Sequence, residues 1–265
     1  GARLAAAGSL LSAALTLLYP SDAAPVEGEG KAAATKPPQP GVLRGLAEVL
    51  SNSVVVSVLA TKLVSSSCNS VFNAAQPILL KEQFGLREAG MGAFMSAGMA
   101  CNALSGVFVV GPLTTRFSAG PLILACLLWM SGCYALQTVA FSPDSPALSM
   151  LLSVLHVHPS GPWMVVGILG SAAAFTRGAV FTTISTSSVP DHLKGTLLGL
   201  EHGMFSMAAI FTPSLGTYLL VQSGIRGVGA ACAAVEVANA AGWRLVALPR
   251  LRRAGVAAVV GAKPD

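Results

Sequence analysis

The chain has 265 residues, of which 53% are hydrophobic and only 10% charged, with a mean hydropathy of +0.69. Soluble domains carry roughly 25% charged residues, so this composition excludes an ordinary water-soluble globule and indicates a chain built for lipid. The net charge of +5 falls between apolar runs rather than along one surface, which excludes a nucleic-acid footprint.

A bilayer core about 30 Å thick requires roughly 20 residues of helix, and the first apolar run, Leu4–Tyr19, is shorter than that. It has two readings. Because the sequence starts at Gly1 and not at methionine, residues 1–19 are expected to be the end of a transmembrane helix that begins upstream; with Arg3 before it and "SDAAP" after it, the run also resembles a secretory signal. Residues 20–52 are rich in Pro, Gly, Ala and mixed charge, too poor in apolar surface to fold alone, and read as a linker.

Six longer runs follow, approximately Val54–Leu80, Ala89–Val110, Pro121–Phe141, Trp163–Ser188, Thr196–Leu220 and Gly227–Leu248. The expected fold is therefore all-α, a polytopic membrane helix bundle with six spans over residues 53–248 and a tail over 249–265. Between the third and fourth runs, "PALSMLLSVLHVHPSGP" (Pro146–Pro162) is too short to span and reads as an interfacial or re-entrant piece. Cys68, Cys101, Cys126, Cys133 and Cys232 lie within apolar runs with no C-x-x-C pair, so they read as small core residues.

If Leu4–Tyr19 also crosses, alternate loops share a side. One set holds Lys31, Lys36, Arg44, Arg116, Lys194, Arg250, Arg252, Arg253 and Lys263; the other holds Arg3, Lys81, Arg87 and Arg226. The positive-inside rule then makes the linker and the tail cytoplasmic.

The second run carries the clearest functional pattern. From Lys62, the residues Ser66, Asn69, Asn73 and Gln76 follow at helical spacing and share one face. A charged side chain near the bilayer centre costs about 2.5–3.5 kcal/mol on insertion scales, so this face is expected to line a water-filled cavity; the alternative is polar glue between helices. Arg177 lies midway along its run, and Glu201 with His202 lies inside the next. Counted from their shared loop, Arg177 is roughly twelve and Glu201 roughly six residues deep, a mismatch of about 9 Å. An Arg177–Glu201 ion pair would need tilt or snorkelling. Either Glu201 or His202 could carry a transported proton.

Other candidates carry less. His156 and His158 have no third ligand, so no metal site is expected. Glu236 and Asn239 share a face of the last run, with Arg244 two turns beyond Glu236, and read as packing contacts. "SGIRGVGAA" lacks the strand and acidic partner of a phosphate loop, and no G-x-S-x-G, H-E-x-x-H or Walker lysine is present, so the sequence has no anchor for an enzyme or an ATP-driven pump. No cofactor is expected.

"GPLTTRFSAG" (Gly111–Gly120) reads as a tight turn between two spans. It resembles the loop signature of the major facilitator superfamily, roughly Gly, three residues, Asp, Arg, one residue, Gly, Arg. Gly111 and Arg116 match, whereas Thr115, Ser118 and Ala119 stand where the aspartate, second glycine and final basic residue are expected. "LLKEQFGLREAGMGAFMSAGMACNALSG" is similar to the outer loop and eighth helix of drug-type facilitators, and "VPDHLKGTLLGLEHGMFSMAAIFTPSLGTYL" to the junction of the tenth and eleventh helices, with Gly195, Gly199 and Pro213 in place.

This resemblance implies the end of helix six and helices seven to twelve, with the N-terminal six-helix half as the missing partner. Lys62 and Arg177 resemble the drug-exporter and organic-cation-transporter-like branch. The resemblance further implies that Lys62, Ser66, Asn69, Asn73, Gln76, Asn102 and Arg177 line the substrate cavity, that Glu201 or His202 couples protons, and that Gly111 and Arg116 form the gating loop. Two cations against one carboxylate would favour an anionic solute or proton competition. The expected function is secondary transport of a small organic solute by alternating access. A receptor or scaffold on a degenerate transporter fold is the alternative, encouraged by Thr115 and Ala119.

Overall fold

The computed structural model describes residues 41–139 and 160–255, and they are helical throughout apart from short connections. Leu4–Tyr19, His156 and His158 lie outside the described residues, as does the proposed loop piece before Ser160. Helix α1 spans Val42–Ser51, α2 Ser53–Glu82, α3 Glu88–Ser105, α4 Ala119–Val139, α5 Ser160–Ser187 and α6 Asp191–Gly242. Two of these run on through π-helical turns: α3 through Gly106–Val110 into Gly111–Arg116, and α6 through Trp243–Ala247 into Leu248–Arg253.

Five of these helices are long and apolar enough to cross a membrane. The last of them makes two crossings. Gly224 interrupts α6 at φ 64° and ψ −175°, a backbone conformation that side chains with a Cβ rarely adopt, and the helix reverses there. Each leg, 191–223 and 225–253, exceeds the roughly 20 residues a bilayer demands. The six spans expected from hydropathy are therefore present. Large apolar side chains such as Val107, Phe108, Ile210, Phe211 and Leu245 remain exposed on the outside of the bundle, as lipid-facing residues must.

Two expectations need correction. Residues 42–51 of the linker form a helix, because Val49 can bury completely in a cluster with Val55, Leu59, Leu193 and Leu197, and Gly45 lets the chain come close to Thr196. The segment does not fold alone; it folds on the first leg of α6. Likewise the passage Gly111–Arg116 is helix, not turn. Pro112 has no N–H to donate, and the π turn before it widens the hydrogen-bonding pattern so that the helix survives. Thr114 donates to the Val110 carbonyl at 2.9 Å and Thr115 to the Pro112 carbonyl at 3.0 Å. The turn itself shrinks to Phe117 and Ser118.

Helices α2 and α6 share the most extensive interface in the bundle. Gly216 permits it: a Cβ there would collide with the Val71 carbonyl oxygen of α2. Near one end, Trp243 packs edge-on against Phe181 with ring centres 5.5 Å apart and donates its indole N–H to the Gly120 carbonyl at 3.0 Å. Towards the other, Phe72, Phe84 and Phe94 surround Trp163 at 6.1–6.2 Å.

Candidate functional site

The polar residues of α2 serve two purposes at two levels of one stripe. Lys62 reaches both α5 and the first leg of α6. Its ammonium donates to the Thr182 hydroxyl at 2.9 Å, pairs with the Glu201 carboxylate, and lies 5.3 Å from the centre of the Phe205 ring. Its side chain is 12% exposed and that of Glu201 6%. The second carboxylate oxygen of Glu201 is buried and has no protein partner among the described residues. His202 lies on the exposed side of the same turn.

A second carboxylate sits on the other leg of α6. Glu236 is completely buried; it accepts from Arg177 Nη1 of α5 at 3.1 Å and from the Ser65 hydroxyl of α2 at 2.8 Å. Asn239 completes this network, donating to Ser65 Oγ at 2.9 Å and to the Thr61 carbonyl at 3.1 Å. Both carboxylates thus tie together α2, α5 and α6.

Arg177 consequently pairs with Glu236 and not with Glu201, which corrects the sequence expectation. The reason is depth. Lys62 comes nine residues after the start of α2 and Glu201 ten after the start of α6, and the two helices start at the same end, so these two are level. The net positive half-site disappears as well, since Glu236 balances Arg177. Ser65, not Ser66, makes the polar contact to α6, being 1% exposed where Ser66 is half-buried.

Further along α2 the same stripe opens into a chamber of about 440 Å³ between α2, α3, α4 and α5. Asn69, Asn73 and Gln76 line it from α2 and Asn102 from α3, as the sequence suggests, while Lys62, Ser66 and Arg177 are not among its lining residues. Helix α4 adds Tyr134 and Gln137, which sequence reasoning missed; their i, i+3 spacing was the available signal. Gln137 is held by its donation to the Trp163 carbonyl at 3.1 Å. Rings of Phe72, Phe94 and Phe175 and the methionines Met95, Met99 and Met130 form the apolar walls.

The ends of the bundle differ in charge. Arg44, Arg116, Lys194, Arg250, Arg252 and Arg253 occupy the end where α2 starts and α3 stops, and Arg250 donates there to the Ser57 hydroxyl at 2.7 Å. Lys81, Arg87 and Arg226 occupy the opposite end with Glu82 and Glu88.

A polytopic helix bundle with intramembrane ion pairs beside a polar chamber belongs to the class of membrane transport proteins. The Major Facilitator Superfamily model matches residues 58–261, and the chain belongs to that superfamily. It is an integral multi-pass membrane protein of a transporter family, not an enzyme. No curated protein and no solved structure matches it.

Proposed function

We propose that the chain works as one half of a secondary active transporter that moves a small organic solute by alternating access, exchanging protons at Glu201. In this reading residues 1–19 end a preceding span, 20–52 form the cytoplasmic central linker with α1 at its end, 53–248 form the half-bundle, and 249–265 form the cytoplasmic tail. A second, N-terminal six-helix half completes the cavity. The asymmetric distribution of Arg and Lys between the two ends supports this orientation. Lys62 and Arg177 support an antiporter lineage near the drug exporters and organic-cation transporters.

The Lys62–Glu201 pair carries the proposal. Its carboxylate has one oxygen on the ammonium and one without a partner among the described residues. Protonation cancels the attraction across the α2–α6 interface, while Lys62 keeps the Thr182 hydroxyl and the face of Phe205 as partners. The neutral acid thereby frees the first leg of α6 from α2, and release of the proton restores the bond. A proton thus shifts the balance between two arrangements of the bundle by the energy of one partly buried ion pair. His202 has the right chemistry but faces away from the pair. Gly111 and Arg116 lie beyond the π turn of α3, a local irregularity suited to bending when a gate moves.

Proton release inside vesicles tests this. Proteoliposomes of the full-length transporter with trapped pyranine and an imposed pH gradient would be given 2-naphthamide, 2-naphthoate and 2-naphthamidine, three flat probes of one size and different charge. At least one is expected to dissipate the gradient faster than in protein-free vesicles, and Glu201→Gln to abolish the effect with membrane insertion intact. No probe-dependent proton movement, or full movement in Glu201→Gln, overturns the reading.

A further inference from the structure

We propose that the chamber between α2, α3, α4 and α5 takes an uncharged, flat organic solute and reads its hydrogen-bonding edge; this names the cargo class and rests on the transport reading above.

The polar lining consists chiefly of five carboxamides, Asn69, Asn73, Gln76, Asn102 and Gln137, joined by the phenol of Tyr134. Among the described residues, no Asp, Glu, Lys, Arg or His lines the chamber. The buried charges Lys62, Glu201, Arg177 and Glu236 are not among its lining residues and are matched in pairs, Lys62 with Glu201 and Arg177 with Glu236. An ionic solute entering here would lose its hydration without gaining a counter-charge, which is costly in a low-dielectric interior. A neutral solute pays no such cost.

Carboxamides present donors and acceptors side by side, so several of them around one cavity complement an amide, a lactam or a heteroaromatic edge. Two of the chamber's polar atoms are unsatisfied by protein. Tyr134 is 2% exposed and its hydroxyl has no partner among the described residues; the side-chain oxygen of Asn102, Oδ1, is also buried and without one among them. Buried polar groups are nearly always paired, so a hydroxyl and an amide oxygen left open at one cavity mark where a bound molecule completes the bonding. Phe72, Phe94 and Phe175 supply faces for a planar group, and the methionines supply adaptable contacts. The volume of about 440 Å³ lies within the range usual for small-molecule sites, roughly 300–1,000 Å³.

Equilibrium binding of the same three naphthyl probes to the purified protein in lipid nanodiscs at pH 7 tests the assignment without any transport step. 2-Naphthamide is expected to bind at least tenfold more tightly than either the anion or the cation. Tyr134→Phe is expected to weaken it about threefold to tenfold while the unliganded protein melts at the same or a higher temperature, since the substitution removes an unpaired buried hydroxyl. Should Tyr134→Phe fail to reach the membrane, Asn73→Ala at the exposed rim carries the same affinity expectation. Equal affinities, tighter binding of either ion, no binding of 2-naphthamide, or an unchanged affinity in the variant overturns the assignment. Amide-selective binding without proton-coupled movement would reject the transport reading and leave the chamber's specificity standing; proton movement without amide selectivity would do the reverse.

Discussion

Arg177 of α5 and Glu236 of the second leg of α6 form an ion pair 3.1 Å apart, with side chains 5% and 0% exposed. Removing one partner of such a pair strands a charge in a dry interior, at a cost of about 3–5 kcal/mol, whereas replacing both by apolar groups is often neutral. Glu236→Ala is therefore predicted to destabilise the bundle by about 3–5 kcal/mol. The double variant Arg177→Leu/Glu236→Leu is predicted to recover most of that loss, even though the Ser65 hydroxyl loses its acceptor. Unfolding of both variants in the same detergent would measure the difference, and a double variant as unstable as the single one would refute it.

Lys62 and Glu201 differ from that pair in the 12% exposure of the Lys62 side chain and in a Glu201 oxygen that has no partner among the described residues. The swap Lys62→Glu/Glu201→Lys restores opposite charge across α2 and α6 but moves the protonatable group to α2, away from its present setting. Expression and melting temperature are predicted to return to near the parent value, and proton-coupled movement is predicted to stay at least tenfold down. A swap that restores coupling would show that the pair acts only as a clasp.

The spans were legible because hydropathy and length alone decide what can cross a bilayer, and the reversal at Gly224 showed itself as a polar, glycine-bearing break between two apolar runs. Asn69, Asn73 and Gln76 were legible because helical spacing puts them on one face. The partners were not. Pairing Arg177 with Glu201 followed from their adjacency in the chain, whereas lateral packing decides which helices meet, and depth along one hairpin says nothing about a third helix. Glu236 reads from the sequence as a packing contact, and it does join helices, but its partner Arg177 is not legible there for the same reason. Tyr134 and Gln137 were hidden within an apolar run, where two polar side chains look like ordinary tolerance, and α1 was hidden because its apolar face finds cover only against α2 and α6.

Water access changes along the polar stripe of α2. In a cysteine-free background, Asn69→Cys and Asn73→Cys are predicted to react with a charged methanethiosulfonate reagent at least tenfold faster than Ser65→Cys. Asn73 is exposed and Asn69 lines the chamber, whereas Ser65 is 1% exposed and enclosed by Glu236 and Asn239. Mass spectrometry of the labelled protein would rank the rates, and comparable labelling at Ser65 and Asn73 would contradict the division of the α2 stripe into a dry and a wet level.

Two glycines of α6 separate backbone approach from helix propensity. Gly216 faces the Val71 carbonyl so closely that a methyl group has no room, and the atom in the way is backbone and does not move aside as a side chain would. Gly203 has nothing within 4 Å of where its Cβ would lie. Gly216→Ala is thus predicted to push α6 off α2 and to destabilise by about 1–3 kcal/mol, the usual cost of overpacking. Gly203→Ala is predicted to stabilise by about 0.4–1 kcal/mol, because alanine narrows the unfolded ensemble where the native backbone accepts it. Opposite shifts in melting temperature for these two substitutions on one helix would confirm that the α2–α6 contact depends on a bare backbone at Gly216. Shifts of the same sign would mean that α6 responds to propensity alone.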